Sequence, residues 1–411
     1  MKSRGPIFFI FITLVIDIMG FGLIIPVLPG LITNLTGKPV AEASSTASFL
    51  TLAYAGMQFL CAPLIGNLSD RFGRRPVLLA SIAAFIIDYV ILGLATSLGW
   101  LFLGRLIAGF TGASITTAMA YIADVSSPED RAKNFGITGA AFGVGFILGP
   151  ALGGLLGGIG LKVPFYAAAI LCSINFILGY FMLPESLSPE NRRPFSWKRA
   201  NPLGALLQFK KYPKLHRLFL VLFLIAIGSH AVQSNWSFFT IEKFQWSEKM
   251  IGLSLAMAGL MVGIVQGVLI RWINPLLGNE KSLYLGLLIY GLSMVLFAFA
   301  FKGWHMFVIL IPYCLEGIAG PAAQAMITGE VLPNQQGEVQ GLNTSLISLT
   351  SIIGPLMMNN LFYITTKSDT PFYFPGSPFM LGAVLFLIGA LISYLGFKKQ
   401  QRPKSVTLEK I

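Results

Sequence analysis

The chain has 411 residues, of which 55% are hydrophobic and only 11% charged; it holds 44 glycines, a formal net charge of +12 and a mean hydropathy of +0.74. A soluble domain is about 25% charged, so a water-facing globule of this length would lack the charges its surface needs, and a disordered chain is excluded by the same hydrophobicity. What fits is an all-α protein threaded repeatedly through a membrane.

A helix needs about 20 apolar residues to cross the hydrocarbon core, and twelve such stretches follow one another. The first, 6–30, carries Asp17 and runs into Pro26 and Pro29 with no small-residue cleavage site behind it; it reads as a retained helix and not a signal peptide. After the second, 45–65, a polar loop brings Asp70, Arg71, Arg74 and Arg75 together around Gly66 and Gly73. The third, 76–97, contains Asp88, and the fourth, 99–122, contains Arg105 followed by Gly109 and Gly112. An arginine inside a span faces protein or a wet cavity, or else snorkels to the interface. The fifth, 133–157, carries Gly145, Gly149, Pro150, Gly153 and Gly154, where small residues allow close helix contact and proline bends the axis. After the sixth, 164–184, the longest linker, 185–214, is polar and basic; it reads as a tether against an anionic membrane surface.

The second half repeats the pattern with spans at 215–240, 250–271, 282–301, 304–328, 338–363 and 377–397, then a tail at 398–411. At an offset of 205 residues Gly73 meets Gly278, Gly112 meets Gly317, Pro128 meets Pro333, Gly136 meets Gly341, and Gly149-Pro150 meets Gly354-Pro355. One offset shared by three spans of each half makes the chain two six-helix repeats, 1–184 and 215–397, an architecture common among secondary transporters.

Orientation follows from lysine and arginine. With the N-terminus cytoplasmic, 22 of the 29 basic residues fall on that side, six (Lys38, Lys162, Lys243, Lys249, Lys302, Lys367) on the other, and Arg105 within a span. Both termini are therefore expected in the cytoplasm. The positive charge serves topology, and no nucleic-acid partner is expected.

The three carboxylates deep within spans are Asp17, Asp88 and Glu316. Ionisable groups at that depth mark function, and a carboxyl that is alternately wetted and dried can load and release a proton. Gln233, Asn235, Trp236, Gln324 and Asn343 add polar and aromatic groups suited to a mostly apolar small-molecule cavity, although each could equally make an interhelical hydrogen bond. Cys61, Cys172 and Cys314 lie in apolar runs, and His216, His230 and His305 are scattered; no metal or cofactor is expected. The chain has no phosphate-binding loop, zinc motif or nucleophile elbow, so an enzyme is not expected and the energy source is an ion gradient.

The string Gly66-Asn67-Leu68-Ser69-Asp70-Arg71-Phe72-Gly73-Arg74-Arg75 resembles the signature of the major facilitator superfamily. In that family such a cluster is thought to latch the cytoplasmic side: Asp70 would sit against a helix N-terminus while the arginines pair with carboxylates such as Asp124. Arg105 with Gly109 and Gly112 is similar to the family's fourth-span motif. Gly145 through Gly154 resembles the string that accompanies its antiporters, which implies export. Val15 through Gly30, Gln58 through Pro76, Tyr121 through Asp124, Leu183-Pro184-Glu185-Ser186 and Gln324-Ala325-Met326 extend the similarity to the tetracycline/proton antiporters over nearly the whole chain. That resemblance makes Asp17 and Asp88 the N-terminal functional acids. Two positions depart from it: the family's acid in the ninth span aligns with Tyr290, and its histidine in the eighth with Val262, so tetracycline itself is not carried over. Glu316 is then the C-terminal candidate for coupling. The implied protein is a monomeric, proton-coupled exporter of a small, largely hydrophobic compound, multi-pass in the inner membrane. The alternative is a proton-coupled importer of a small metabolite.

Overall fold

The computed structural model describes residues 4–112, 114–127, 131–195, 208–332 and 335–400, and all regular structure among them is helical. In hydrocarbon every backbone N–H and C=O must be satisfied within the segment, and the apolar stretches accordingly form helices. Span 1 is Arg4–Thr36, span 2 Val40–Phe72, span 3 Arg74–Leu94, span 4 Leu98–Gly112 continued by Ser114–Val125, span 5 Arg131–Gly157 and span 6 Val163–Met182. Span 7 is broken into His216–Gln233 and Trp236–Phe244, and span 11 is Gln336–Thr366, span 12 Ser377–Gln400. The last eleven residues, part of the linker, and the Pro128–Pro333 pair lie outside the described residues.

Eleven described stretches are long and apolar enough to cross a membrane, and one of them, Glu248–Ala298, has 51 residues. As one helix it would be about 75 Å long at ~1.5 Å per residue, against a core of about 30 Å. It reverses at Gly278, whose φ of 73° and ψ of 166° no helix contains, so this stretch is spans 8 and 9 and the described residues make twelve spans. Gly73, between spans 2 and 3, has φ 106° and ψ 160°. The two glycines paired by the 205-residue offset thus make the same kind of turn, in a region of backbone space that residues with a Cβ avoid.

Three of the spans are irregular. Besides the break in span 7, span 8 passes from Glu248–Ile264 through a π-helical turn, Val265–Leu269. Span 10 runs Gly303–Cys314, tightens into a 3-10 turn at Leu315–Ile318, and resumes as Ala319–Gly329. Pro312 and Gly317 weaken the α-ladder at that turn, and hydropathy is blind to the change because it reads composition and not hydrogen-bond register.

Packing repeats with a shift of six spans. Span 1 lies against spans 5 and 6, span 2 against 4, and span 3 against 4 and 6; span 7 lies against 11 and 12, span 8 against 10, and span 9 against 10 and 12. The halves meet through spans 5 and 8 and spans 2 and 11, a pair that also exchanges under the repeat. The hydrogen bonds across this seam sit at the ends of the spans opposite the termini. Ser44 Oγ donates to the Asn359 carbonyl at 3.2 Å, Ser45 Oγ to Asn360 Oδ1 at 2.9 Å, and Ser237 Oγ to the Ile25 carbonyl at 3.0 Å. Toward the side of the termini spans 5 and 8 part: a methyl group added at Gly139, Gly143, Gly263 or Gly267 would meet nothing within 4 Å. The two halves are closed on the far side and open on the terminal side.

Candidate functional site

The glycine string of span 5 divides its work. A Cβ on Gly145 would lie 2.7 Å from Ile18 Cβ, one on Gly149 2.7 Å from the Met19 carbonyl and 2.9 Å from Gly22 Cα, and one on Gly153 would overlap the Leu23 carbonyl. These three seat span 1 directly on span 5. Gly154 turns the other way, toward the second half, where its Cβ would come 2.8 Å from Gly252 Cα in span 8; the Pro150 carbonyl meets Gly252 on the same face. Sequence pattern marked the string as a packing motif, but it could not mark Gly252 as its partner in the other repeat.

In the N-terminal half Asp88 is 1% exposed and its Oδ2 lies 3.4 Å from Arg105 Nη2, itself 9% exposed. Arg105 therefore turns into the bundle against span 3 and does not snorkel. Gly104 makes room for the acid, since a Cβ there would lie 2.6 Å from Asp88 Oδ1. Gly109 and Gly112 let span 4 rest on Tyr54 and Gln58 of span 2. Tyr54 is within electrostatic reach of Asp17, Asp88 and Arg105, which places both acids around one polar focus. Asp17 is partly buried and forms no hydrogen bond or ion pair among the described residues.

The C-terminal half is built differently. Tyr290 is buried, its ring stacks on Phe386 with centroids 3.9 Å apart, and its hydroxyl lies 3.4 Å from both Ser229 Oγ and Tyr313 Oη. The position holds a tyrosine hydroxyl cluster in place of a carboxylate. Glu316 stands on the 3-10 turn of span 10, partly buried, within electrostatic reach of Tyr290, Tyr313 and Cys314 and without a basic neighbour among the described residues. Gln324 and Asn343 bond to each other at 3.3 Å, tying span 10 to span 11, and Gln233 is exposed. Two residues expected along the cavity are elsewhere. Trp236 is 1% exposed, donates to Ser254 Oγ at 2.9 Å, and packs edge-on against Phe297 and Phe379; Asn235 beside it is fully buried. The break in span 7 turns both into the core of their own half.

The loop between spans 2 and 3 is organised by one arginine. Arg74 Nη1 donates to Ser69 Oγ at 2.6 Å and Asp70 Oδ1 at 2.7 Å, and its Nε to Asp124 Oδ2 at 3.2 Å. Arg71 instead lies over the Phe72 ring, and Arg75 donates to the Tyr180 carbonyl at 2.7 Å. The expectation that Asp70 caps a helix is corrected: the carboxylate at the N-terminus of span 3 is Glu185, which accepts the backbone N–H of Arg74 at 2.8 Å and of Arg75 at 3.2 Å. Asp70, at the end of span 2, is drawn to Arg74 across the Gly73 turn, and Glu185 reaches the free N–H groups because the chain leaving span 6 returns over this loop. Ser186 Oγ donates to Asp124, and the Arg193 N–H to the Asp70 carbonyl, so the first part of the linker is docked on the cluster and is more than a tether. Pro184-Glu185-Ser186 was visible in the sequence, but its partners lie 62 to 111 residues upstream.

Arg74→Ala removes three charge-assisted bonds of about 1.5–3 kcal/mol each, so turnover should fall at least tenfold, while Arg71→Ala should stay within twofold. Transport assays at matched expression check this, and equal effects from the two would make the cluster a matter of net charge only.

Comparison with known proteins agrees with this architecture. A family profile described as Major Facilitator Superfamily matches residues 10–355 and 239–410. The tetracycline resistance protein, class C, of Escherichia coli is 40% identical over 391 residues, covering 94% of this chain and 96% of that one. The crystal structure of the human organic anion transporter MFSD10 superposes with a TM-score of 0.70 at 25% identity, covering 96% of this chain and all of the other. A D-xylose–proton symporter superposes at 0.74 with 14% identity, covering 94% and 97%, a likeness of fold alone. With twelve spans in two equivalent halves, a charge cluster after span 2, and a match along nearly its whole length, the chain belongs to the major facilitator superfamily of alternating-access membrane transporters.

Proposed function

We propose that this protein exports a small, largely hydrophobic compound in exchange for protons, as a monomer in the inner membrane with both termini cytoplasmic. The observation that supports export most directly is the string Gly145, Gly149, Pro150, Gly153 and Gly154, which resembles that of antiporters and here seats span 1 on span 5 and closes the far side against Gly252. The opening then faces the cytoplasm, where an exporter loads, with Asp17 and Glu316 only partly buried. Asp17, Asp88 and Glu316 are assigned to proton coupling, and Asp70, Arg74, Arg75 and Asp124, with Glu185 added, to the cytoplasmic latch; Arg71, turned onto the Phe72 ring, is left out of it. Gln233, Gln324 and Asn343 remain cavity residues. Tetracycline is a poor candidate, because Tyr290 and Val262 stand where the resembling exporters have an acid and a histidine.

Inside-out vesicles given an acidic lumen should accumulate substrate and lose it when nigericin collapses the gradient. Uptake confined to right-side-out vesicles with an acidic exterior would make the protein an importer. Reporter fusions after Lys214 and Lys398 should both report cytoplasm, since 22 basic residues lie on that side against six on the other; an external signal from either overturns the topology.

A further inference from the structure

The π-helical turn of span 8 and the 3-10 turn of span 10 lie against each other. A Cβ on Gly317 would sit 3.3 Å from Val265 Cγ1 and 3.4 Å from Gln266 Cγ, with Gln266 Nε2 at 3.7 Å. Gly317 is thus the contact point, Glu316 precedes it, and Gln266 is exposed beside it. Irregular backbone at membrane depth persists where it lines a protein-enclosed cavity, π-turns recur at functional sites, and interrupted helices supply carbonyl oxygens that hold cations. The chemistry here is one-sided: a carboxylate, an amide and loosened backbone, with no lysine or arginine. Of the basic residues on the spans, Arg105 is held by Asp88 in the other half, and Arg271 stands five residues beyond Gln266, past the π-turn. Among the described residues no three histidines, cysteines or carboxylates gather to hold a metal ion. Tyr290 and Tyr313 are within electrostatic reach of Glu316.

We propose that Glu316, Gln266 and the paired turns around Gly317 bind the cationic group of the exported compound, which makes the substrate class the lipophilic monocation, a protonated amine on an aromatic or aliphatic body. This rests on the reading of the protein as a proton-driven exporter. The ammonium forms an ion pair with the Glu316 carboxylate as the proton bound there leaves to water, so one cation enters for each proton released.

The test uses the purified full chain in nanodiscs with tetraphenylphosphonium as probe, tetraphenylborate as its anionic counterpart and triphenylphosphine oxide as a neutral one. Tetraphenylphosphonium should bind at least tenfold more tightly than either and release protons into a weakly buffered medium. Glu316→Gln should weaken it at least tenfold and abolish the release, Glu316→Asp should restore both in part, and Gln266→Leu, which leaves the charge in place, should weaken binding three- to tenfold. Equal binding in Glu316→Gln, tighter binding of the anion, or displacement of the probe by sodium would each overturn the assignment. If Glu316→Gln binds the cation normally but loses pH-driven transport, the cation site falls and the coupling role stands. If the parent binds the cation through Glu316 but no pH gradient drives it, the exporter reading falls and the site remains.

Discussion

Arg105→Met should destabilise the protein by about 3–5 kcal/mol, the range for removing one partner of a buried ion pair and leaving the other charge uncompensated. The cause is local. Asp88 is 1% exposed and Arg105 Nη2 is its charged partner at 3.4 Å, so the variant strands a carboxylate between spans 3 and 4. The double variant Asp88→Asn/Arg105→Met removes both charges and should recover most of the loss, because a neutral pair in a bundle costs little. Unfolding midpoints of the purified proteins and their yields in membranes check both. A single variant as stable as the parent would mean that the pair contributes nothing despite its burial. A double variant that is stable but inactive would separate folding from function and leave the pair a role in transport alone.

Gly149→Leu should abolish transport and sharply reduce folded protein. Even a methyl group at this position would lie 2.7 Å from the Met19 carbonyl and 2.9 Å from Gly22 Cα, both backbone atoms that cannot swing aside. The helices would have to separate, losing the close contact on which small-residue interfaces in membranes depend. Gly139→Leu, ten residues earlier in the same helix, meets open space and should express normally; the comparison controls for helix propensity and added bulk. Equal behaviour of the two variants, read by membrane yield and transport rate, would show that close seating of span 1 is not required. A related contrast concerns the seam. Gly252→Leu pushes on Pro150 and Gly154 across the two halves. It should leave each half folded while hindering closure of the far side, seen as increased labelling of a cysteine introduced at Ser44 by an external thiol reagent. Unchanged labelling would remove Gly252 from the seam's closing contact.

Much of the architecture was legible because the bilayer imposes few rules on a sequence. A span must be apolar for about 20 residues, loop arginine and lysine order the sides, and a duplicated gene leaves glycines at a constant offset; hence twelve spans, two halves and the turn at Gly278 could be read from one chain. The N-terminal acids, Arg105 and the glycine string were visible for the same reason, as residues too costly or too small for a lipid-facing helix. Tertiary structure alone decided which groups meet. That Arg105 faces Asp88, that Glu185 caps span 3, that Trp236 is buried against Ser254, and that Gly154 touches Gly252 depend on helix rotation and on contacts between residues 17 to 111 positions apart. The π-turn and the 3-10 turn that bring Gln266 beside Gly317 were equally silent in hydropathy, since each keeps the same apolar composition and alters only which carbonyl each N–H reaches.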